Sequence, residues 1–571
     1  MSRSVLPKVV LLVATVWGLG LGVGCSDDDS GTNGNDASVA DAGPDVLTWD
    51  LQEQACPGDP DCPDQGDGTF YAGVVVVDVT PQDLKEGPTF VDNNGNGEWD
   101  RNEDEYTDTN GNGEFDAVWI AGFGTRPATG IHDPIEARIL AMRHNETTVV
   151  LVSADFVGFF YDHVLGIRDR LDAATAAEVD KIVFTSTHNH EGPDMVGIWG
   201  ASFIDSGFDP VYMEWVQNEI ADGVTAAVAA LEPAHVVHGA IAVQDATGST
   251  ENLLDDSRDP VIMDNQMRVM RFFRPSDDST IATLINFGNH PEVLWDANGL
   301  LSADFPHWLR DAVEDGIPGL LEGVGGVAIY VQGTCGGLIG PGHVHPINDA
   351  GQVVADRHSW EAVEAFGHRY AEFAVAALDA TNGAVVDTEP FLAFRSREVF
   401  LRIDNFNYQA AYRLGIFTRE LYNFDPDVYI DEDNTPDVVS DLVYLQVGLS
   451  SLVTVPGELA PEVFIGCYDG SCSYGFELFD PNGVNPPDLS LAPDGPFLKD
   501  LLQADGSQFQ WLIGLGQDEV GYILPNYDYK LAELSPYVTE APGDHYEETN
   551  SLGPHAHDQI VIPLSELIQG Q

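Results

Sequence analysis

Basic residues are scarce in this sequence. Lys and Arg number 24 against 93 Asp and Glu in 571 residues, a formal net charge of −69 at pH 7. Phosphate backbones and anionic lipid surfaces are met with Lys and Arg, so the composition speaks against nucleic-acid binding and against electrostatic docking on anionic membranes. No Gly-rich phosphate loop is present. Long apolar runs are also missing apart from residues 9–23, and that run is too short and too rich in glycine for a span of ~20 residues. What is present is ordinary for a folded chain: 43% apolar and 10% aromatic residues. The acidity is therefore no sign of disorder, and suits divalent cations or a salty medium.

Arg3 and Lys8 precede the apolar run, which ends in small residues at Gly24-Cys25. This reads as an export signal over 1–25. Cys25 is the candidate lipidation site of a cell-envelope lipoprotein anchored to the membrane at its N-terminus, with plain secretion as the alternative. Residues 26–68 are rich in Asp, Gly, Asn, Pro and Ser and read as a flexible acidic tether. In an exported chain, Cys56 with Cys62 and Cys467 with Cys472 are expected local disulfides. From 69 to 571 no second linker or repeat appears, so one large catalytic domain is expected. Short β-branched runs at 73–79, 148–153, 181–187, 282–287, 326–331 and 452–455 read as buried strands. Helical spacing occupies 210–231 and 360–380. Strands alternating with helices predict an α/β fold of layered, mixed sheets with flanking helices.

An insertion at about 88–120 carries a twelve-residue calcium-loop pattern. Asp92, Asn94, Asn96, Glu98, Asp100 and Glu103 fall at positions 1, 3, 5, 7, 9 and 12, with Gly97 at the sharp turn. Asp108, Asn110, Asn112, Glu114 and Asp116 repeat the first nine positions, and Trp119 replaces the last acid. Such spacing wraps hard oxygens round one point, which predicts structural calcium.

The chemistry concentrates in Thr187-His188-Asn189-His190-Glu191-Gly192-Pro193, after the strand at 181–187. If the strand persists, side chains two apart share a face, so His188 and His190 would present two imidazoles to one zinc-type cation. Other segments share this layout: a strand running into His290-Pro291, one running into Pro456-Gly457-Glu458, and one leading to Glu519 and Tyr522. Polar groups beyond the carboxyl ends of strands are where α/β sheets place their sites. The expected cluster is His188, His190, His290, Glu458 and Tyr522.

These pieces occur in one order with Ala72-Gly73, Asp78 to Pro81, Asn286 to His290, Leu301 to Asp304, Gln332 to Gly336, Gly521-Tyr522, Tyr546-Glu547 and Gly553-Pro554-His555. The ordered set resembles the catalytic domain of the neutral/alkaline ceramidases, zinc amidases that cleave the N-acyl bond of ceramide. The resemblance implies one zinc held by His188, His290, Glu458 and Tyr522, which polarises an amide carbonyl and activates water. It implies His190 as proton relay and Tyr546 as hydrogen-bond donor to the reacting group, with a lipid or other N-acyl amide as substrate. Arg258 is expected to take the place of the family's substrate-contacting arginine, because Asn252 is followed by Leu253. No serine stands in Gln332 to Gly337, so direct attack by water is expected. A metal hydrolase of another ester or amide, and a calcium-stabilised surface lipoprotein that only binds, are the rival readings.

Overall fold

The computed structural model describes residues 46–571 except 61, 82–89, 96–102, 107–116, 203, 246–247, 251–252 and 544. Three five-stranded sheets dominate it. The first runs in the order Lys181–Ser186, Thr147–Ala154, Glu136–His144, Phe70–Asp78, Glu232–Pro233. The second is Val327–Gln332, Thr280–Phe287, Gln266–Phe273, His235–Ala242, Val385–Asp387. The third is Glu53–Cys56, Leu392–Arg402, Asp437–Val447, Ser450–Thr454, Phe509–Ile513. Each is antiparallel except for one edge pair. Lys181–Ser186 lies parallel to Thr147–Ala154, Val327–Gln332 to Thr280–Phe287, and Phe509–Ile513 to Ser450–Thr454. The expected mixed α/β architecture is thus present, and all six strands read from the sequence lie in these sheets.

Period-two alternation explains how the sheets pack. Leu140, Met142, Val149 and Leu151 of the first sheet meet Leu284, Ile329 and Val331 of the second and Leu445, Trp511 and Ile513 of the third in one shared core. The intervening residues face outward onto helices. Ile139 and Val152 pack with helix Pro210–Ala229, Ile285 and Tyr330 with helices Phe305–Asp315 and Trp360–Ala377, and Leu442 and Leu512 with helix His555–Ile568. Strands covered on both faces need apolar residues at every position, which is why they read as unbroken runs. The helices start where their caps allow. The Asp209 carboxylate accepts from the N–H groups of Val211 and Tyr212, and the Ser359 hydroxyl from that of Ala362.

The reading of 26–68 as a tether needs correction over its described part. Glu53–Cys56 is an antiparallel edge strand on Leu392–Arg402. Trp49 Nε1 donates to Glu398 at 2.7 Å, and Cys56 is fully buried in its bond to Cys62. Two aromatic or sulfur anchors and a ladder of backbone hydrogen bonds hold a segment whose polar composition alone suggested none. Cys467 and Cys472 are joined as expected, and Cys335 is free and buried. Cys25 and the proposed export signal lie outside the described residues. Among the described residues no helix is long and apolar enough to cross a membrane.

His163 gives the fold an acid-sensitive element. Its ring stacks on Phe208, its Nε2 has no hydrogen-bond partner, and burial pushes its pKa down to about 4. In the unfolded chain the imidazole titrates near ~6.5. Between these values the unfolded state binds the extra proton, so stability falls as pH drops from about 6.5 to about 4, by up to about 3 kcal/mol. Urea midpoints measured across this range should fall more steeply for the wild type than for His163→Phe; parallel curves would reject the assignment.

Candidate metal centre

The carboxyl ends of the three parallel edges meet, and each supplies one of the central groups. His188 follows Lys181–Ser186, His290 follows Thr280–Phe287, and Glu458 follows Ser450–Thr454. Glu458 pairs in register with Tyr522, which follows Phe509–Ile513. Buried side-chain amides hold these ends together. Asn286 donates to the Leu512 carbonyl at 2.9 Å, Gln332 to the Thr187 carbonyl at 3.0 Å, and Gln517 to Asp441 at 2.7 Å, while Gln517 accepts from the Phe184 N–H at 2.7 Å.

His188 Nε2 lies 3.2 Å and His290 Nε2 2.9 Å from the same oxygen, Glu458 Oε2. On the far side of each ring, Nδ1 faces a backbone carbonyl: Val157 at 2.7 Å from His188 and Leu338 at 2.6 Å from His290. A carbonyl only accepts, so each Nδ1 carries the proton and each neutral ring turns an Nε2 lone pair toward a carboxylate lone pair. Such a meeting is repulsive unless a cation or a proton stands between them. The donor set of two imidazoles and one carboxylate, oriented by outer hydrogen bonds, fits zinc. His188, His190 and His290 together also offer ligand atoms within 4.8 Å of one another. Burial alone would raise the Glu458 carboxyl; positive charge on the two imidazoles outweighs it and draws its pKa down to about 2, so the carboxylate is the form that meets a cation there.

The sequence placed these residues together, but by a different local route. The strand stops at Ser186, and His188 has φ +64°, a left-handed conformation rare for so large a residue. A turn, and not strand alternation, brings His190 Nε2 to 3.2 Å from His188 Nε2. Burial and then the neighbouring imidazoles push the His190 pKa well below its usual range. Its Nδ1 has no hydrogen-bond partner and lies 3.4 Å from Glu292 Oε2. Tyr522 is beside Glu458, and burial followed by the Glu458 charge raises its phenol well above 10. Tyr546 stands at the rim, 45% exposed, with its ring 6.1 Å from that of Tyr522.

One expectation changes, and another falls mostly outside the described residues. Arg258 is buried and paired with Glu462 at 3.0 Å, with Glu547 3.9 Å away. It ties the segment after Glu458 to the segment after Tyr546, which leaves it committed to carboxylates and not open to substrate. Of the calcium pattern only Asp92, Asn94 and Glu103 are described; Asn96, Glu98, Asp100, Asp108, Asn110, Asn112, Glu114 and Asp116 lie outside the described residues. Residues left out of the expected cluster are Arg126, Glu191, Glu292 and Glu519, although Glu191 and Glu519 stand in the segments that the sequence singled out. Glu292 is raised by burial to about 8 and Glu191 to about 7, while Glu519 is raised by burial and by Glu458. A signal was available for the glutamates, since three lie within three residues of a predicted ligand.

Comparison with known proteins agrees with this geometry. Residues 111–315 match the model of the family described as neutral/alkaline non-lysosomal ceramidase, N-terminal. That stretch contains His188, His190 and His290. The crystal structure of neutral ceramidase from Pseudomonas aeruginosa superposes with a TM-score of 0.58 at 14% identity, covering 88% of this chain and 74% of that one. A structure described as ceramidase complexed with C2 gives 0.56 at 15% identity, covering 88% and 75%. No curated protein matches the chain by sequence. The resemblance read from the ordered motifs is borne out, and at these identities the structural likeness carries the fold.

His290→Ala tests the centre directly. Zinc per chain, measured by plasma emission after dialysis, should fall from near one to well below half, because one of three charged or imidazole donors is gone. Wild-type stoichiometry in this variant would discard the ligand set.

Proposed function

We propose that the chain is a zinc-dependent amidohydrolase that cleaves the N-acyl amide bond of ceramide or a related N-acyl lipid, releasing fatty acid and amine. The observation that carries this reading is the convergence of two Nε2 lone pairs and one carboxylate oxygen on a single buried point, in a chain with a ceramidase fold. His188, His290 and Glu458 would hold the metal, with Tyr522 beside them. When bound, zinc supplies a Lewis acid for the amide carbonyl and lowers the pKa of water near neutrality.

The remaining roles belong to side chains. His190 is kept neutral by burial and by the adjacent rings, so it is free to accept a proton. Its outer nitrogen faces Glu292, which holds a proton near neutral pH, and its inner nitrogen faces the centre. That geometry suits a relay that takes a proton from water and releases it to the leaving amine. Tyr546, protonated and half-exposed at the rim, is placed to donate a hydrogen bond to the oxygen that gains charge. Export through residues 1–25, with or without lipidation at Cys25, would bring the site to lipid substrates at the cell envelope.

A panel of fatty-acyl amides, ceramides and matched esters, read by mass spectrometry, tests the reaction. Amide cleavage dependent on zinc is expected, and His190→Ala should lose about 10²-fold or more in kcat while retaining zinc. Cleavage of esters alone, or no cleavage of any panel member, would reject the amidohydrolase reading.

The acidic insertion is proposed to hold structural calcium. In the described part of the first loop, Gly95 donates to Asp92 at 2.6 Å, which closes a turn at position 1, and Asn94 to Glu103 at 3.3 Å, which brings positions 3 and 12 of the pattern together. Calcium removal should lower the melting temperature while zinc content is unchanged, because hard oxygens and imidazoles sort the two cations. Asp92→Ala should melt at the calcium-free temperature whether or not calcium is added; a wild-type melting curve indifferent to calcium would refute the assignment.

A further inference from the structure

We propose that Arg126 is the positioning residue of this centre: its guanidinium sets where the His190 imidazole stands. The inference rests on the proton-relay role given to His190 above. The three imidazoles are held in different ways. His188 and His290 are each fixed through their own Nδ1, donating to Val157 and Leu338. The His190 ring has no backbone anchor of this kind. Its Nδ1 lies 3.4 Å from Glu292 Oε2 without a hydrogen bond, and its Nε2 meets His188 Nε2, itself a side-chain atom, at 3.2 Å. A ring not tied to the backbone through Nδ1 takes its position largely from its own main chain and from what packs on it.

Both of those lead to Arg126. Its Nη2 donates to the His190 carbonyl at 2.6 Å and also to the Ala121 carbonyl. Its Nη1 donates to Glu191 Oε2 and to the Trp295 carbonyl, both at 3.0 Å, and its Nε to the Phe123 carbonyl at 3.1 Å. The side chain is 5% exposed. One planar fork therefore ties the residue that must be placed, the residue after it, and the loop that covers it. A single ammonium has three donors without this fixed plane, so lysine cannot reproduce the set.

The loop held by the fork is the roof over His190. Phe123 packs on the His190 ring at 5.1 Å and on Trp295 at 4.7 Å. Gly122 lies against the imidazole so closely that a Cβ there would stand 2.5 Å from His190 Cβ, and its φ of +94° is one that glycine adopts freely. The roof is joined to the chain beyond His190 by backbone hydrogen bonds from Ala121 N to the Gly192 carbonyl and from Asp194 N to the Trp119 carbonyl. Arg126 touches none of His188, His290 and Glu458, so its loss should disturb the relay before the metal.

Arg126→Ala, Arg126→Lys and Gly122→Ala, each in the full zinc-loaded protein, test this. Arg126→Ala should lose ~30-fold or more in kcat, within the range of a general acid–base contribution, with KM and zinc stoichiometry near wild type. Guanidinium at tens of millimolar, well below denaturing concentration, should restore about tenfold of that loss by refilling the cavity. Methylammonium should not, and Arg126→Lys should remain as slow as the alanine variant. A readout independent of turnover is the 13Cε1 imidazole resonance of His190, assigned by its disappearance in His190→Gln. It should shift or split in Arg126→Ala and return on adding guanidinium. Unchanged resonance and kcat in Arg126→Ala, or a loss that guanidinium leaves untouched in a folded, zinc-replete variant, would overturn the proposal. If Arg126→Ala does not fold, Gly122→Ala carries the test: it displaces the ring from the roof side, and a wild-type resonance and rate there would count against the roof. An inactive wild type would reject the amidohydrolase reading, whereas the resonance test of Arg126 would still decide.

Discussion

The Nε2 atoms of two imidazoles are each held within 3.2 Å of one carboxylate oxygen, and much of the structure around them serves to keep that meeting in place. The carbonyls of Val157 and Leu338 fix the tautomers, so the rings cannot relieve the repulsion by turning a protonated nitrogen inward. Burial denies the carboxylate its water. What remains is a donor set that fits a cation.

The three central groups come from three different sheets, and this ties the centre to the whole domain. Each sheet is antiparallel over most of its width but closes on a parallel edge pair, and the three edges are the parts that meet. The amides of Asn286, Gln332 and Gln517 span the gaps between them, meeting the Leu512 carbonyl, the Thr187 carbonyl and the Phe184 N–H inside the core. A ligand set drawn this way exists only when all three sheets are docked. Metal affinity is then part of the docking energy of the sheets, not a property of any one loop.

This arrangement also explains what could be read from the sequence. The strands with both faces covered appear as continuous apolar runs, and the strands that lead into His188, His290 and Glu458 were among them. Their antiparallel partners were less legible. Glu136–His144 holds Glu136, Arg138 and Arg143 among its apolar residues, and Leu392–Arg402 alternates with arginine, because these strands end or turn toward solvent and ion pairs. The order of motifs identified the candidate ligands, yet the local geometry at His188 was not predictable, since the left-handed turn there is imposed by tertiary packing. Arg126 left no signal at all. It stands in an unremarkable loop segment, and apart from Glu191 its partners are backbone carbonyls, which no side-chain pattern records.

The distribution of charge inside the site follows from the same geometry. Glu191, Glu292, Glu519 and Asp304 are buried near the centre, and burial pushes all four carboxyl groups upward. Only Glu458 is driven the other way, because only it faces two imidazoles. Among these five carboxyl groups, Glu458 is the one whose surroundings favour the charged form, and it is the one that faces His188 and His290. Arg126, against Glu191, is the cation in contact with this set, and it is turned away from the metal position toward the His190 backbone. On the proposed reading, a divalent cation would meet no adjacent guanidinium at this centre, while the His190 backbone is held from behind by Arg126.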